Sequence, residues 1–133
     1  MATEGNGMTI PGLSASASLT AKQYYFVKLS GASTVTVCAA ATDVPIGVLQ
    51  NAPASGGAAE VMCVGTTKIS SDAALTAGLL IGTSADGQAD SKVWGTDKTE
   101  YICGQVITAS GAAGGMATCF INCGVPVMAQ TSN

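Results

Sequence analysis

The chain has 133 residues, of which 66 are Ala, Gly, Ser or Thr and only 13 are charged, with no Arg and no His. That length fits one compact domain or two very small ones sharing a core, and so little large apolar volume makes assembly with copies or a partner a natural way to bury more. A net charge of −3, with no Arg and only five scattered lysines, argues against a nucleic-acid binder, and the missing His excludes Ser-His-Asp and Cys-His catalysis.

Met1 to Gly7 is polar and Gly-rich, and Ser14-Ala15-Ser16-Ala17-Ser18 is of low complexity. Residues 1–18 are expected to form a flexible N-terminal arm, either frayed or ordered on a partner. They lack the basic and apolar regions of a signal peptide, and the longest apolar runs, about five residues, fall far short of the ~20 that span a bilayer. The expectation is a soluble protein made in a cytoplasm, with no membrane partner.

Beyond the arm the chain contains one unit twice. Leu19-Thr20-Ala21 recurs as Leu75-Thr76-Ala77, and each is followed by an apolar run, Tyr24 to Leu29 and Leu79 to Thr83. Each run meets a small-residue turn, Ser30-Gly31-Ala32-Ser33 and Ser84-Ala85-Asp86-Gly87, the second carrying the Asp-Gly signature of a hairpin. The match resumes at Val44 to Leu49 against Tyr101 to Val106, where Gly47 and Gly104 correspond. It continues at Gly56 to Met62 against Gly114 to Phe120. The offset drifts only from 56 to 58 across four matches in the same order.

The elements inside each unit read as strands. Thr34-Val35-Thr36-Val37 alternates β-branched residues, and Glu60 to Val64 is a short apolar run led by a Gly-Gly turn. Cys119, Ile121 and Cys123 would share one strand face opposite Phe120 and Asn122. Asn51 to Gly57 is a loop. Helix signals are confined to Ser71 to Ala77, where a turn or one short helix is expected. The predicted fold is therefore all-β, a small β-barrel or sandwich of two pseudo-repeated strand-rich units with little helix. Residues 19–124 form a single β domain with units 19–65 and 75–124, and 125–133 form a C-terminal tail tied down in part. The strands near Tyr24 to Leu29 and Ile46 to Leu49 should form the core.

The search for chemistry finds no site. The five cysteines (Cys38, Cys63, Cys103, Cys119, Cys123) form no CxxC pair and are odd in number, so reduced thiols serving as small buried hydrophobes are expected. Gly82 to Gly87 lacks both the GxSxG spacing and the Gly-Lys-Ser/Thr ending, which leaves a hairpin turn. Asp86 and Asp90 lack the further oxygen ligands of a calcium loop, and the carboxylates are expected as solvated loop charges. No catalytic, cofactor-binding or metal-ligating residue is assigned, and the expectation is a protein that is not an enzyme and carries no cofactor.

Leu19-Thr20-Ala21-Lys22-Gln23-Tyr24-Tyr25-Phe26-Val27-Lys28-Leu29 and Asp43-Val44-Pro45-Ile46-Gly47-Val48-Leu49-Gln50-Asn51-Ala52-Pro53 resemble segments of the capsid decoration, or cement, proteins of tailed bacteriophages. The likeness continues through the Gly/Ala-rich loop, the Ala59-Glu60-Val61 strand and the Leu75 to Gly78 restart, covering roughly residues 19–123. The five cysteines and the long polar start depart from that pattern. The resemblance implies a structural virion protein, made in the host bacterial cytoplasm, that binds the outer capsid surface and stabilises it. Its partners would be the major capsid protein and copies of itself, as a homotrimer or homodimer. Another virion β module, such as a head-fibre base or a tail-associated adhesion domain, is the alternative.

Overall fold

The computed structural model describes residues 7–130, and no helix occurs among them. Twelve strands follow in order: β1 Met8–Ile10, β2 Ser14–Ala15, β3 Phe26–Gly31, β4 Thr34–Val37, β5 Gly47–Leu49, β6 Val61–Ser70, β7 Leu80–Thr83, β8 Ala89–Ser91, β9 Tyr101–Ile102, β10 Gly104–Thr108, β11 Met116–Asn122 and β12 Val127–Met128. The main sheet runs β2-β4-β3-β5-β6-β11-β10-β7-β8 with β1 also on β6, and β12 pairs β9 separately. The all-β expectation holds, and Ser71 to Ala77 is turn rather than helix.

Hydrogen bonds close this sheet into two small barrels. The segment Met8–Ala15 is a single crossing bent at Pro11-Gly12, bonded on one side to β4 and on the other to residues 57–64. The Ser16 amide donates to Val35 O, while the Ala15 amide donates to Gly57 O and the Ala59 amide to Leu13 O, each 2.9 Å. Barrel one is thus β1/β2, β4, β3, β5 and the start of β6. Barrel two is the remainder of β6, then β8, β7, β10 and β11, closed by a parallel bridge between Ser71 and Ala89. The long strand β6 belongs to both. Closure leaves few strand edges unpaired.

The two barrels are copies in register. Val27 pairs with Val37 and with Gly47 as Ile81 pairs with Ser91 and with Gly104, and Leu49 pairs with Val61 as Val106 pairs with Cys119. Even the closures correspond: the Ser71 amide donates to Gly115 O and the Asp72 amide to Ala89 O, as those of Ala15 and Ser16 do to Gly57 and Val35. Gly47 and Gly104 meet the same constraint. A Cβ at either would lie 2.4 Å from the carbonyl oxygen of the strand beside it, at Met62 and Phe120 respectively.

Three expectations are corrected. Residues 1–18 do not stand wholly outside the β domain: residues 1–6 lie outside the described residues, but from Met8 onward the chain supplies barrel one's first strand, with Leu13 and Ala15 buried. The units accordingly begin earlier than 19 and 75, the second inside β6. And each unit closes on itself, where one barrel or sandwich built by both together was expected. The tail is tied down through β12.

Barrel one is filled by Leu13, Leu19, Val27, Val35, Leu49 and Val61. Their counterparts Ile69, Leu75, Ile81, Ala89, Val106 and Cys119 fill barrel two. Fully burying a Val, Leu or Ile side chain stabilises by about 1.5–3 kcal/mol, so these small cores depend on every member. The predicted core segments are buried at Phe26, Val27, Val48 and Leu49, whereas Tyr24 and Tyr25 are half-buried and Leu29 is exposed. Phe26, Val48 and Met62 point out of barrel one and pack in the same apolar cluster as the core of barrel two.

Candidate docking surfaces

The reactive side chains are placed where they stabilise the fold. All five cysteines are free thiols, and only Cys63 is not buried. Burial pushes the Cys38 thiol up to about 12, against a smaller opposing effect of the Thr83 hydroxyl, and burial alone does the same for Cys119. Cys123 is pushed up by its hydrogen bond with Cys103 and by burial. Thiols held protonated in this way are poor nucleophiles and poor metal ligands. No group of three or more Cys, Asp or Glu is placed to hold a metal ion among the described residues.

The charges are less solvated than their sequence context implies. Lys28 Nζ lies 2.9 Å from Asp43 Oδ2, which also accepts the amides of Ala39 and Ala40. Burial alone would raise the Asp43 carboxyl, but Lys28 and the two amides outweigh it and hold it below the ordinary carboxylate range. Asp43 in turn raises Lys28 through their hydrogen bond. Glu100 corrects the expectation that the carboxylates are solvated loop charges, because it pairs with Lys92. The Lys92 side chain is buried, bonded to Glu100 and 3.5 Å from Asp90. Asp97 accepts the Val93 amide as Asp43 accepts that of Ala39, so one loop turn is built twice.

Two surface features stand out. An open groove of about 470 Å³ is lined by Lys28, Leu29, Val44, Pro45, Ile46, Cys123 and Pro126. Leu29 and Val44 are exposed in it, and Val125 beside it is 70% exposed. Internal correspondence gives this groove meaning. Val44-Pro45 matches Tyr101-Ile102, which is β9, and on barrel two β9 carries β12 in antiparallel pairing. The groove on barrel one therefore lies beside the segment whose counterpart on barrel two holds an extended apolar strand. The second feature is the outer face of β10 and β11, where Ile107 and Phe120 are about half exposed.

None of this was assigned from the sequence, which named no site residue. Gly47 and Gly104, matched in the sequence, could have located the groove, because Val44 is exposed where its counterpart Tyr101 is half-buried and paired with β12.

No family model matches the chain, and no curated protein matches it by sequence. Among solved structures it is similar in fold to the N base of the head fiber protein gp8.5 of bacteriophage phi29, at a TM-score of 0.61 and 15% identity. The likeness covers 88% of this chain and 93% of that one.

Proposed function

We propose that this chain is a structural protein of a phage virion, not an enzyme, that binds the outer surface of the head and stabilises it as a decoration protein. The observation that carries this reading is the arrangement of the whole chain, two barrels on a shared strand, similar over nearly its full length to the base of a protein of a phage head fiber. A chain without His, whose thiols and ion pairs serve its own packing, offers the fold rather than chemistry. The Leu29–Val44 groove is where an extended apolar segment of the major capsid protein docks, in the manner of β12 on β9. Many weak copies of one such contact suit a lattice, because avidity over neighbouring subunits multiplies modest affinities.

Co-sedimentation with emptied, undecorated heads tests the proposal. The wild type should pellet with heads in a saturable ratio, and Leu29→Asp should bind at least tenfold more weakly while remaining folded. Failure of the wild type to bind any head would sink the decoration assignment. A second reading, the base of a head fibre, is favoured by the identity of the structural neighbour itself. Electron microscopy separates the two, since decoration appears as regular knobs over the shell and a fibre base as the foot of a projecting appendage.

A further inference from the structure

One turn of barrel one is built against the conformational preference of its own residue. Lys22 to Tyr25 form a tight turn, the Tyr25 amide donating to Lys22 O at 3.1 Å. Its third residue, Tyr24, has φ 68 and is, with Ser33, one of two non-glycine residues in the left-handed region among the described residues. Positive φ at the third position alone marks a type II turn, where glycine is favoured because a Cβ crowds the backbone. The other unit obeys that rule. Thr76 to Leu79 is the same turn, closed by the Leu79 amide on Thr76 O at 3.3 Å, and its third residue is Gly78 at φ 94. Both turns are anchored alike, the Tyr24 amide donating to Leu49 O at 2.7 Å and the Gly78 amide to Val106 O at 2.8 Å. The position therefore asks for left-handed backbone and not for a side chain.

The contacts of Tyr24 within the chain do not account for its presence. Its ring belongs to neither apolar cluster, whereas Leu79, beside Gly78, packs against the core of barrel two. Its hydroxyl makes no hydrogen bond among the described residues. Beside it, Lys22 Nζ lies 4.8 Å from the centroid of the Tyr25 ring. Lys28 and Lys92 each have a carboxylate partner, but among the described residues Lys22 has none. Barrel two carries Thr76, Gly78 and Leu79 at these places, so the two rings and the cation belong to the turn of barrel one alone. A strained residue that the fold does not need points to a contact, and tyrosine is enriched where proteins meet.

We propose that Tyr24 is a contact residue for the outer surface of the phage head, with the Lys22 ammonium beside it facing a carboxylate of that surface. Charge decides the chemistry of the partner: an ammonium resting on an aromatic face, without a carboxylate of its own, is complemented by an acidic surface. The identity of the partner rests on the virion reading, whereas the role of Tyr24 rests on the turn.

Urea midpoints and co-sedimentation with emptied heads test this on the full chain, using wild type, Tyr24→Gly and Lys22→Gln. Tyr24→Gly should unfold at the wild-type midpoint or above it, because it gives the turn the residue that its counterpart has. The same variant should bind heads about tenfold more weakly. Lys22→Gln should bind about threefold more weakly at low salt and respond less to added salt than the wild type does. A lowered midpoint for Tyr24→Gly overturns the proposal, since the ring would then serve the fold. So does a salt response that Lys22→Gln leaves unchanged. Wild-type binding that Tyr24→Gly leaves intact sinks this inference alone, whereas a wild type that binds no head sinks the virion reading and this partner together.

Discussion

Individual residues carry more of this structure than their size implies, because the cores are small. Cys119 occupies the place in barrel two that Val61 occupies in barrel one, and both are fully buried. The thiol acts there as a small hydrophobe. With Cys38 and Cys119 raised to about 12 from an ordinary 9.0, the folded protein keeps both thiols neutral where the unfolded chain ionises them. The unfolded state then holds fewer protons than the native one between about pH 9 and 12, so stability declines across that window. The measurable consequence is selective alkylation. At pH 8 a small thiol reagent should label Cys63 alone in the folded protein, and all five cysteines in denaturant. Rapid native labelling of Cys38 or Cys119 would contradict their burial.

At the scale of elements, the 93–102 loop is fastened by a buried ion pair as well as by Tyr101, which packs against the core of barrel two. Lys92 is the counterpart of Cys38, each amide donating to the β3 or β7 strand at the same position, Phe26 O or Leu80 O. Barrel two replaces a thiol with a buried ammonium, and Glu100 comes from the longer loop to meet it. Removing one partner of a buried pair leaves the other desolvated, at a cost of about 3 kcal/mol here because Asp90 remains. Glu100→Ala should therefore lower the denaturation midpoint clearly, by urea titration, whereas Asp43→Ala should cost less because its partner Lys28 is partly solvated. This device was not legible in the sequence. A lysine five positions after an Asp-Gly turn and eight before a glutamate looks like any solvated charge, and only the three-dimensional return of the loop buries it. The hairpins, by contrast, were legible, because Asp86-Gly87 and the alternation at Thr34 to Val37 are local signals that closure does not override.

For the whole molecule, the duplication was readable where both copies face one constraint, as at Gly47 and Gly104 or Leu19 and Leu75. It was unreadable at its start. Leu13 and Ala15 share burial with Ile69 and Ser71, and the closing hydrogen bonds correspond, but the stretches have almost no side-chain identity, so a polar, low-complexity stretch hid a barrel strand. Two barrels with one strand and one apolar cluster in common should also unfold together. Leu49→Ala, in the core of barrel one, should cost about 2–4 kcal/mol and shift a single calorimetric transition whose enthalpy matches its van't Hoff value. Two separated transitions would mean that the barrels are independent.

Strand β6 runs ten residues, hydrogen-bonded at its start within barrel one and along its remainder to β11. A load pulling the barrels apart is thus borne by covalent backbone through that strand. The bonds to β11 run across the strand's length and meet such a load in shear, all strained at once instead of parting one after another. A tug on either barrel therefore reaches the other through one strand's backbone and the bonds beside it.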